Sequence, residues 1–246
     1  MKQNLYDDPQ FFNMYKTLRD SKITYNDFIE QPAMRRLLPE VEGLTIADLG
    51  CGFGDLALYL VENGAQQVVG VDLSENMLQH AKKHERIQYV RSSMEDIEFE
   101  HNQFDLIVSS LAFHYVEDFE ALIQRITKWM KPNGYLVFST EHPVILAHKS
   151  QSGWIRDANE QPLYWPMDNY GEEGERSQFW GIDGVIKYHR KLSTLVNTLI
   201  RHGLVIQEID EPEATKEGLV KMPRMVNERK RPSFIVIKAK RMVTEQ

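Results

Sequence analysis

The chain predicts a three-layer α/β fold built on a doubly wound, mostly parallel sheet. Five short apolar runs alternate with amphipathic helical segments between residues 46 and 139, the pattern of repeated βα units. The first run feeds a glycine-rich turn, Gly50-Cys51-Gly52-Phe53-Gly54, that opens a helix. Gly50, Asp72, Met94 and Ser110 all fall at carboxyl ends of strands, where such sheets bind ligands.

The elements follow in order. Asp8-Pro9 reads as a helix start, with Phe11, Met14, Tyr15 and Leu18 at helical spacing. A second helical segment holds Phe28, Ile29, Met34, Leu37 and Leu38, broken near Pro32. Ile46, Ala47 and Leu49 suit a buried first strand. After the glycine turn a helix runs from about Asp55 through Leu56, Ala57, Leu60 and Val61, and Asn63-Gly64 ends it. Residues 68–71 form the second strand, ending in Asp72, and Ser74 caps a helix with Met77, Leu78 and Ala81. Residues 87–90 and 104–110 are the third and fourth strands, the latter apolar through Leu106-Ile107-Val108 as a buried parallel strand should be. Asp118 caps a helix with Phe119, Leu122, Ile123, Ile126 and Met130 inward; Lys128 and Lys131 suit its C-terminus, Pro132 and Gly134 turn the chain, and residues 135–139 are the fifth strand. Ser193 caps a last helix with Leu195, Val196, Leu199 and Ile200, ended by Gly203, and residues 204–209 and 234–239 are the final strands.

One stretch breaks the pattern. Residues 143–188 show no sustained periodicity and read as a long connection without secondary structure, yet they hold seven aromatics and three of the four tryptophans. Such aromatic content argues against disorder and for a cap over a substrate pocket, with Trp154, Trp165, Tyr170 and Trp180 as substrate-contacting candidates. The expected organisation is one domain over residues 1–246: an N-terminal helical lid (1–43), a cofactor-binding core (44–142), a cap (143–189), and a C-terminal helix with the last two strands (190–246).

Composition bounds the function. The 246 residues carry 29 basic and 36 acidic side chains, a net charge of −7, which disfavours a broad nucleic-acid surface. A single cysteine excludes an intrachain disulfide and suits a reducing compartment. The first nine residues contain no apolar run, and no stretch reaches the apolar length of a membrane span, so a cytoplasmic protein without membrane association is expected. The histidines lack H-x-x-x-H or H-E-x-x-H spacing and there is no cysteine pair, so no metal site is expected.

The glycine turn narrows the ligand. Its spacing is G-x-G-x-G, with Asp55 where a dinucleotide fingerprint has its last glycine. Asp48, two residues before Gly50, suits a cationic amine better than a pyrophosphate. Asp72, 18 residues after Gly54, can accept hydrogen bonds from a ribose diol. An amino group, a ribose and no phosphate describe S-adenosyl-L-methionine. Residues 46–54, Asp72 and Lys131-Pro132-Asn133-Gly134 resemble the class I (Rossmann-like) S-adenosylmethionine-dependent methyltransferases, above all the subgroup of ubiquinone/menaquinone-type and other small-molecule enzymes. The resemblance implies a seven-stranded sheet whose last strand inserts antiparallel between the fifth and sixth. It implies N-terminal helices over the cofactor, with Tyr15, Arg19 and Asn26 as candidates for the methionine carboxylate. Met94 packs on the adenine, Ser93 stands where the family often has Asp, and Glu95 or Asp96 contributes there. Cys51, Gly52, Gly54, Leu73, Met77, Ser110 and Leu111 complete the implied cofactor set, and S-adenosyl-L-homocysteine is the implied product.

Methyl transfer from a sulfonium is an in-line displacement in which positioning and desolvation supply much of the rate. Where the acceptor must lose a proton, His114, His142 and His189 are the candidate bases, since each lies at a strand end or beside the last helix. Cys51 has no neighbouring base, which argues against covalent catalysis. The Asn/Asp-Pro-Pro-aromatic motif of adenine-amino methyltransferases is absent, with Glu141-His142-Pro143-Val144 in its place. The leading expectation is a methyltransferase acting on a small molecule. Its rivals are a tRNA or protein methyltransferase using the basic cluster Lys221, Arg224, Arg229, Lys230 and Arg231, which otherwise reads as a solvated loop, and a non-catalytic cofactor-binding regulator.

Overall fold

The computed structural model describes residues 3–149 and 153–242. Its strands are β1 (Thr45–Leu49), β2 (Gln67–Asp72), β3 (Ile87–Arg91), β4 (Phe104–Ser109), β5 (Met130–Glu141), β6 (Ile155–Arg156), β7 (Pro162–Tyr164), β8 (Gly174–Trp180), β9 (Ile182–His189), β10 (Leu204–Asp210) and β11 (Phe234–Arg241). Seven of them form one sheet in the order β10-β11-β5-β4-β1-β2-β3. The strands from β1 to β5 pair in parallel, and β11 runs antiparallel to both β5 and β10. This is the implied insertion of the last strand.

Period-two alternation gives the sheet two apolar faces. Ala47, Leu49, Ile107 and Phe138 point to one face, where α5 (Phe119–Trp129) buries Leu122, Ile123 and Ile126 and α7 (Leu192–Arg201) buries Leu195 and Leu199. Ile46, Leu106, Val108 and Val137 point to the other, against Met34 and Leu37 of α2 (Gln31–Leu37) and Leu56, Leu60 and Val61 of α3 (Asp55–Glu62). Helices on both faces leave the carboxyl edge of the sheet open. The caps read from the sequence hold for α1 (Pro9–Asp20), whose Phe11 N–H meets Asp8; for α4 (Glu75–Gln79), whose Met77 N–H meets Ser74; and for α5, whose Ala121 N–H meets Asp118. Ahead of α2, residues Asn26–Glu30 form a π-helical turn, which accounts for the break expected near Pro32.

Four local expectations are corrected. Residues 143–188 are not without secondary structure: a short α6 (Pro143–Leu146) leads into two antiparallel hairpins, β6–β7 and β8–β9. The pattern was hidden because the inward side chains of β8 and β9 include Arg176, Lys187 and His189, all buried, so hydropathy does not alternate. The α7 N-cap is Lys191, not Ser193; the Lys191 N–H donates to Glu173 Oε1 at 2.7 Å, so a hairpin carboxylate caps the helix. The basic segment is not a solvated loop: α8 (Lys216–Lys221) and a 3-10 stretch, Pro223–Arg229, carry most of it. Finally, β5 begins at Met130 rather than after the Pro-Asn-Gly turn. Asn133 adopts φ +63° there, and the register with β4 jumps from Phe104↔Met130 to Leu106↔Tyr135.

Candidate active site

A cavity of about 940 Å³ opens along the carboxyl edge of the sheet. Its first wall is the glycine turn. The Gly50 and Cys51 N–H groups both donate to the Val71 carbonyl, at 2.8 and 3.0 Å. The Gly52 N–H donates to Asp72 Oδ2 at 2.8 Å, and the Ser74 N–H to Asp72 Oδ1 at 2.9 Å. These amides are therefore committed within the protein and do not form an anion cradle. The turn shapes the wall instead and pins the Asp72 carboxylate between two loops. Burial raises the Asp72 pKa, and the two backbone N–H groups oppose the rise.

Asp48 sits at the end of β1, 1 % exposed, and neither of its oxygens has a hydrogen-bond partner among the described residues. Burial, with the nearby carboxylates of Asp72, Glu30 and Asp55, pushes its pKa up to about 8. Arg19 of α1 faces the same space; its Nη2 reaches Asp55 at 3.3 Å while its Nη1 is buried without a partner. A buried acid and a buried guanidinium nitrogen left unsatisfied on one wall call for a ligand bearing both signs of charge.

Behind this wall lies a network that the sequence reading did not single out. Glu30 is fully buried; its Oε1 accepts from the hydroxyls of Ser139 at 2.5 Å and Ser110 at 2.8 Å, and its Oε2 from Gln31 Nε2 at 2.8 Å. Ser139 Oγ in turn accepts the Leu111 N–H at 2.9 Å. The network ties the π-helical turn to the ends of β4 and β5 and holds the loop that follows β4.

The cavity is roofed from two directions. Lid residues Phe11 and Tyr15 meet Trp180 of the β8–β9 hairpin, with ring centroids 5.2 Å apart for Phe11–Trp180 and 5.6 Å for Tyr15–Trp180, and Tyr6 packs edge-on against both Phe11 and Tyr15 at 5.1 Å. Gln3 binds β9 from the other side, donating to the Gly184 carbonyl and accepting from the Ile186 N–H, each at 2.8 Å.

At the far end, Glu141 closes β5. Its Oε1 pairs with Lys187 Nζ of β9 at 2.5 Å, while Oε2 is buried with no hydrogen-bond partner among the described residues. Burial tends to raise its pKa, but Lys187 and His114 outweigh that and hold it below the ordinary carboxylate value. His114 Nδ1 accepts the Glu141 N–H at 3.4 Å, which leaves the proton of the neutral ring on Nε2. Burial pushes the His114 pKa down to about 3.

Every residue of the sequence-derived cofactor set lies on the cavity wall except Gly54, which packs on Tyr89, and of the alternatives Glu95 and Asp96 only Glu95 does. Of the three histidines only His114 does. His142 accepts the Val144 N–H at its Nδ1 and meets Glu211 at 2.9 Å through Nε2, so it caps α6. His189 donates from Nε2 to the Tyr170 carbonyl at 3.0 Å. Of the four cap aromatics only Trp180 lines the cavity. Tyr170 accepts the Leu192 N–H and packs on His189, and Trp154 and Trp165 stand behind Arg231, whose guanidinium carbon lies 5.2 and 4.4 Å from their ring centroids. A strand-end position does not dictate where a side chain points, and His142 and His189, like Trp154, Trp165 and Tyr170, are not on the cavity wall. The basic cluster is dispersed: Arg229 pairs with Glu213, Lys221 with Glu217, and Arg231 is 8 % exposed.

A doubly wound sheet with an acid pinned at the end of β2 and a charged cavity along its carboxyl edge defines an α/β protein that binds a nucleoside cofactor. A methyltransferase-domain family model matches residues 47–138. The crystal structure of an S-adenosylmethionine-dependent methyltransferase from Mesorhizobium loti superposes with a TM-score of 0.80, at 41 % identity over 86 % of this chain and 97 % of that one. An uncharacterised protein of Haemophilus influenzae is 37 % identical over 98 % of each chain. The ubiquinone biosynthesis O-methyltransferase of Neisseria meningitidis is 32 % identical over 51 % of this chain and 53 % of its own, so the chain spans about half of that relative. The chain belongs to the S-adenosylmethionine-dependent methyltransferases, and S-adenosylmethionine is its cofactor.

Proposed function

We propose that the chain transfers the methyl group of S-adenosylmethionine to a small-molecule acceptor seated in the far half of the same cavity. Enclosure carries this reading. The lid and the hairpin meet overhead, and about 940 Å³ accommodates a cofactor with a small acceptor but not a folded polymer. Dispersal of the basic cluster removes the main support for a tRNA or protein acceptor. The single cysteine, Cys51, is buried and unpaired, in keeping with a cytoplasmic setting, and no described helix is long and apolar enough to cross a membrane. Incubation with radiolabelled S-adenosylmethionine and a cell extract split by size should place label in the fraction of small metabolites. Equal labelling of the RNA or protein fraction would sink the proposal.

The residues present fit the cofactor. Asp48 supplies the counter-charge for its ammonium, Arg19 Nη1 a donor for its carboxylate, and Asp72 the remaining lone pairs for its ribose diol. The bound sulfonium supplies an already activated methyl group, so the chain's own residues need only position, desolvate and receive a hydrogen bond. Tyr15 and Trp180 keep water out overhead. His114, neutral because burial holds its pKa near 3, donates from Nε2 rather than taking a proton. Glu141, kept ionised by Lys187, presents Oε2 to the N–H or O–H of the acceptor's nucleophile. His142 and His189 have no part in this reading.

Proton linkage tests the role of Asp48. With a pKa of about 8 it is protonated in the free protein at neutral pH, and an ammonium beside it favours the carboxylate. The bound form then holds fewer protons, so affinity rises with pH below that value, by up to about tenfold per unit, until the cofactor's own amine deprotonates near about 8. Calorimetric titrations with S-adenosylhomocysteine in phosphate and in Tris should differ in apparent enthalpy by nearly one proton's ionisation. Identical enthalpies in the two buffers remove Asp48 from this role.

A further inference from the structure

The acceptor half of the cavity holds a second set of unsatisfied charge. Arg231 lies on its wall, 8 % exposed, just ahead of β11. Its guanidinium carbon lies 4.4 Å from the Trp165 centroid and 5.2 Å from that of Trp154, two rings of the cap set edge to face. Such cation–π contacts hold the group in place but satisfy none of its N–H donors. Its polar contacts are long: Nη2 lies 3.4 Å from Ser233 Oγ and 3.5 Å from Glu228 Oε1, and Nε has no hydrogen-bond partner among the described residues.

Arg224 extends the same wall from the 3-10 stretch, its guanidinium 6.0 Å from the Tyr25 centroid. The acids nearby do not cancel this charge. Glu141 is committed to Lys187, and Glu228 reaches Arg231 only at 3.5 Å. Arg224, Arg231 and Lys187 against Glu141 and Glu228 leave 3 − 2 = +1. A nearly buried guanidinium held in place with unused donors is built to donate charge-assisted hydrogen bonds to an anion, in the bidentate manner that suits carboxylate and phosphate. Met222, Leu111 and Phe234 beside it offer apolar surface to the rest of the ligand.

We propose that the methyl acceptor carries an anionic group, a carboxylate or a phosphate, held by Arg231 and Arg224, which sets its nucleophile against Glu141. The proposal rests on the small-molecule methyltransferase reading above. Burial lowers the Arg231 pKa, and an anion in this seat opposes that shift.

The test is calorimetric titration of the full chain, saturated with S-adenosylhomocysteine, with three probes of similar size: phenyl phosphate, benzoate and neutral benzamide. The expected result is that at least one anion binds ten or more times tighter than benzamide. The stronger of the two identifies phosphate or carboxylate as the native group. Anion affinity should fall at least tenfold in Arg231→Gln and several-fold in Arg224→Gln, with benzamide unchanged. Arg224 is exposed and outside the packed core, so its variant keeps the test decisive should Arg231→Gln fail to fold. Equal binding of the anions and benzamide, no anion binding at all, or anion affinity retained in the variants that fold would each overturn the proposal while leaving cofactor binding intact. Failure to bind S-adenosylhomocysteine would strike at the methyltransferase reading itself, and the anion seat would fall with it.

Discussion

Gly50→Ala is expected to lower S-adenosylmethionine affinity by roughly a hundredfold or more without unfolding the sheet. Gly50 adopts φ +77°, and a Cβ there would lie 2.4 Å from Ala112 Cβ and 3.2 Å from Met94 Cε. The left-handed conformation costs a non-glycine residue about 1–3 kcal/mol. Overpacking against Ala112 adds about 1–3 kcal/mol. Relief requires the turn after β1 and the loop after β4 to move apart and the Met94 side chain, which comes in from the loop after β3, to shift, so the cavity wall is displaced. At about 1.4 kcal/mol per factor of ten, the native geometry becomes scarce enough to account for the loss. Gly52→Ala is the control: φ is +53° but nothing lies within 4 Å of its Cβ, so it suffers strain without the clash and should lose less. Titration calorimetry with circular dichroism of each variant checks this. Gly50→Ala binding within threefold of the parent would show that the turn tolerates a side chain.

Glu141→Gln is expected to destabilise the protein by about 3–5 kcal/mol, because it strands the Lys187 ammonium, 3 % exposed, without its partner. At about 2–4 °C per kcal/mol for a chain of this size, the melting temperature should drop by about 10 °C. Adding Lys187→Met should recover most of the loss, since removing both charges removes the stranded one. The pH dependence has a definite sign. The folded pKa of Glu141 lies below its unfolded value, so its contribution is present above the ordinary carboxylate range and fades as pH falls through the lowered value. The single variant should therefore lose less stability on acidification than the parent does. A melting-temperature change under about 2 °C would mean that the pair contributes little to holding the hairpin on the sheet.

Much of the framework was readable because it rests on local signals. Asp8, Ser74 and Asp118 each cap the helix they precede, and the glycine turn and Asp72 mark strand ends whatever the rest of the chain does. Other features depend on what lies far away in sequence. Glu30 reads as an ordinary acid in an apolar helical segment, and only Ser139, 109 residues on, makes it a buried hub. Lys187 and Arg176 read as solvent-facing charges; their partners, Glu141 and the carbonyls of the cap, turn them inward and conceal the hairpin. His142 and His189 sit beside the correct edge of the sheet, yet nothing in a linear sequence says that one ring caps α6 and the other meets Tyr170. Arg231 looked like one of five solvated cations because the tryptophans that cover it lie in the segment whose structure was not legible.

The position of β11 between β5 and β10 sets the order in which the molecule can be finished during synthesis. Chains emerge N-terminus first, so β1 to β5 can pair while the remainder is still being made. Until Phe234–Arg241 arrives, β5 and β10 each present an unpaired edge, the kind of surface on which nascent chains associate with one another. Arg231, Ser233 and Phe234 come in with the same strand. A polypeptide that stops before them already owns the turn, Asp48 and Asp72, but lacks one side of the acceptor chamber. Completion of the sheet and completion of that chamber are thus a single late event, and a chain truncated before β11 is expected to expose unpaired strand edges rather than to fold into an enzyme with altered acceptor scope.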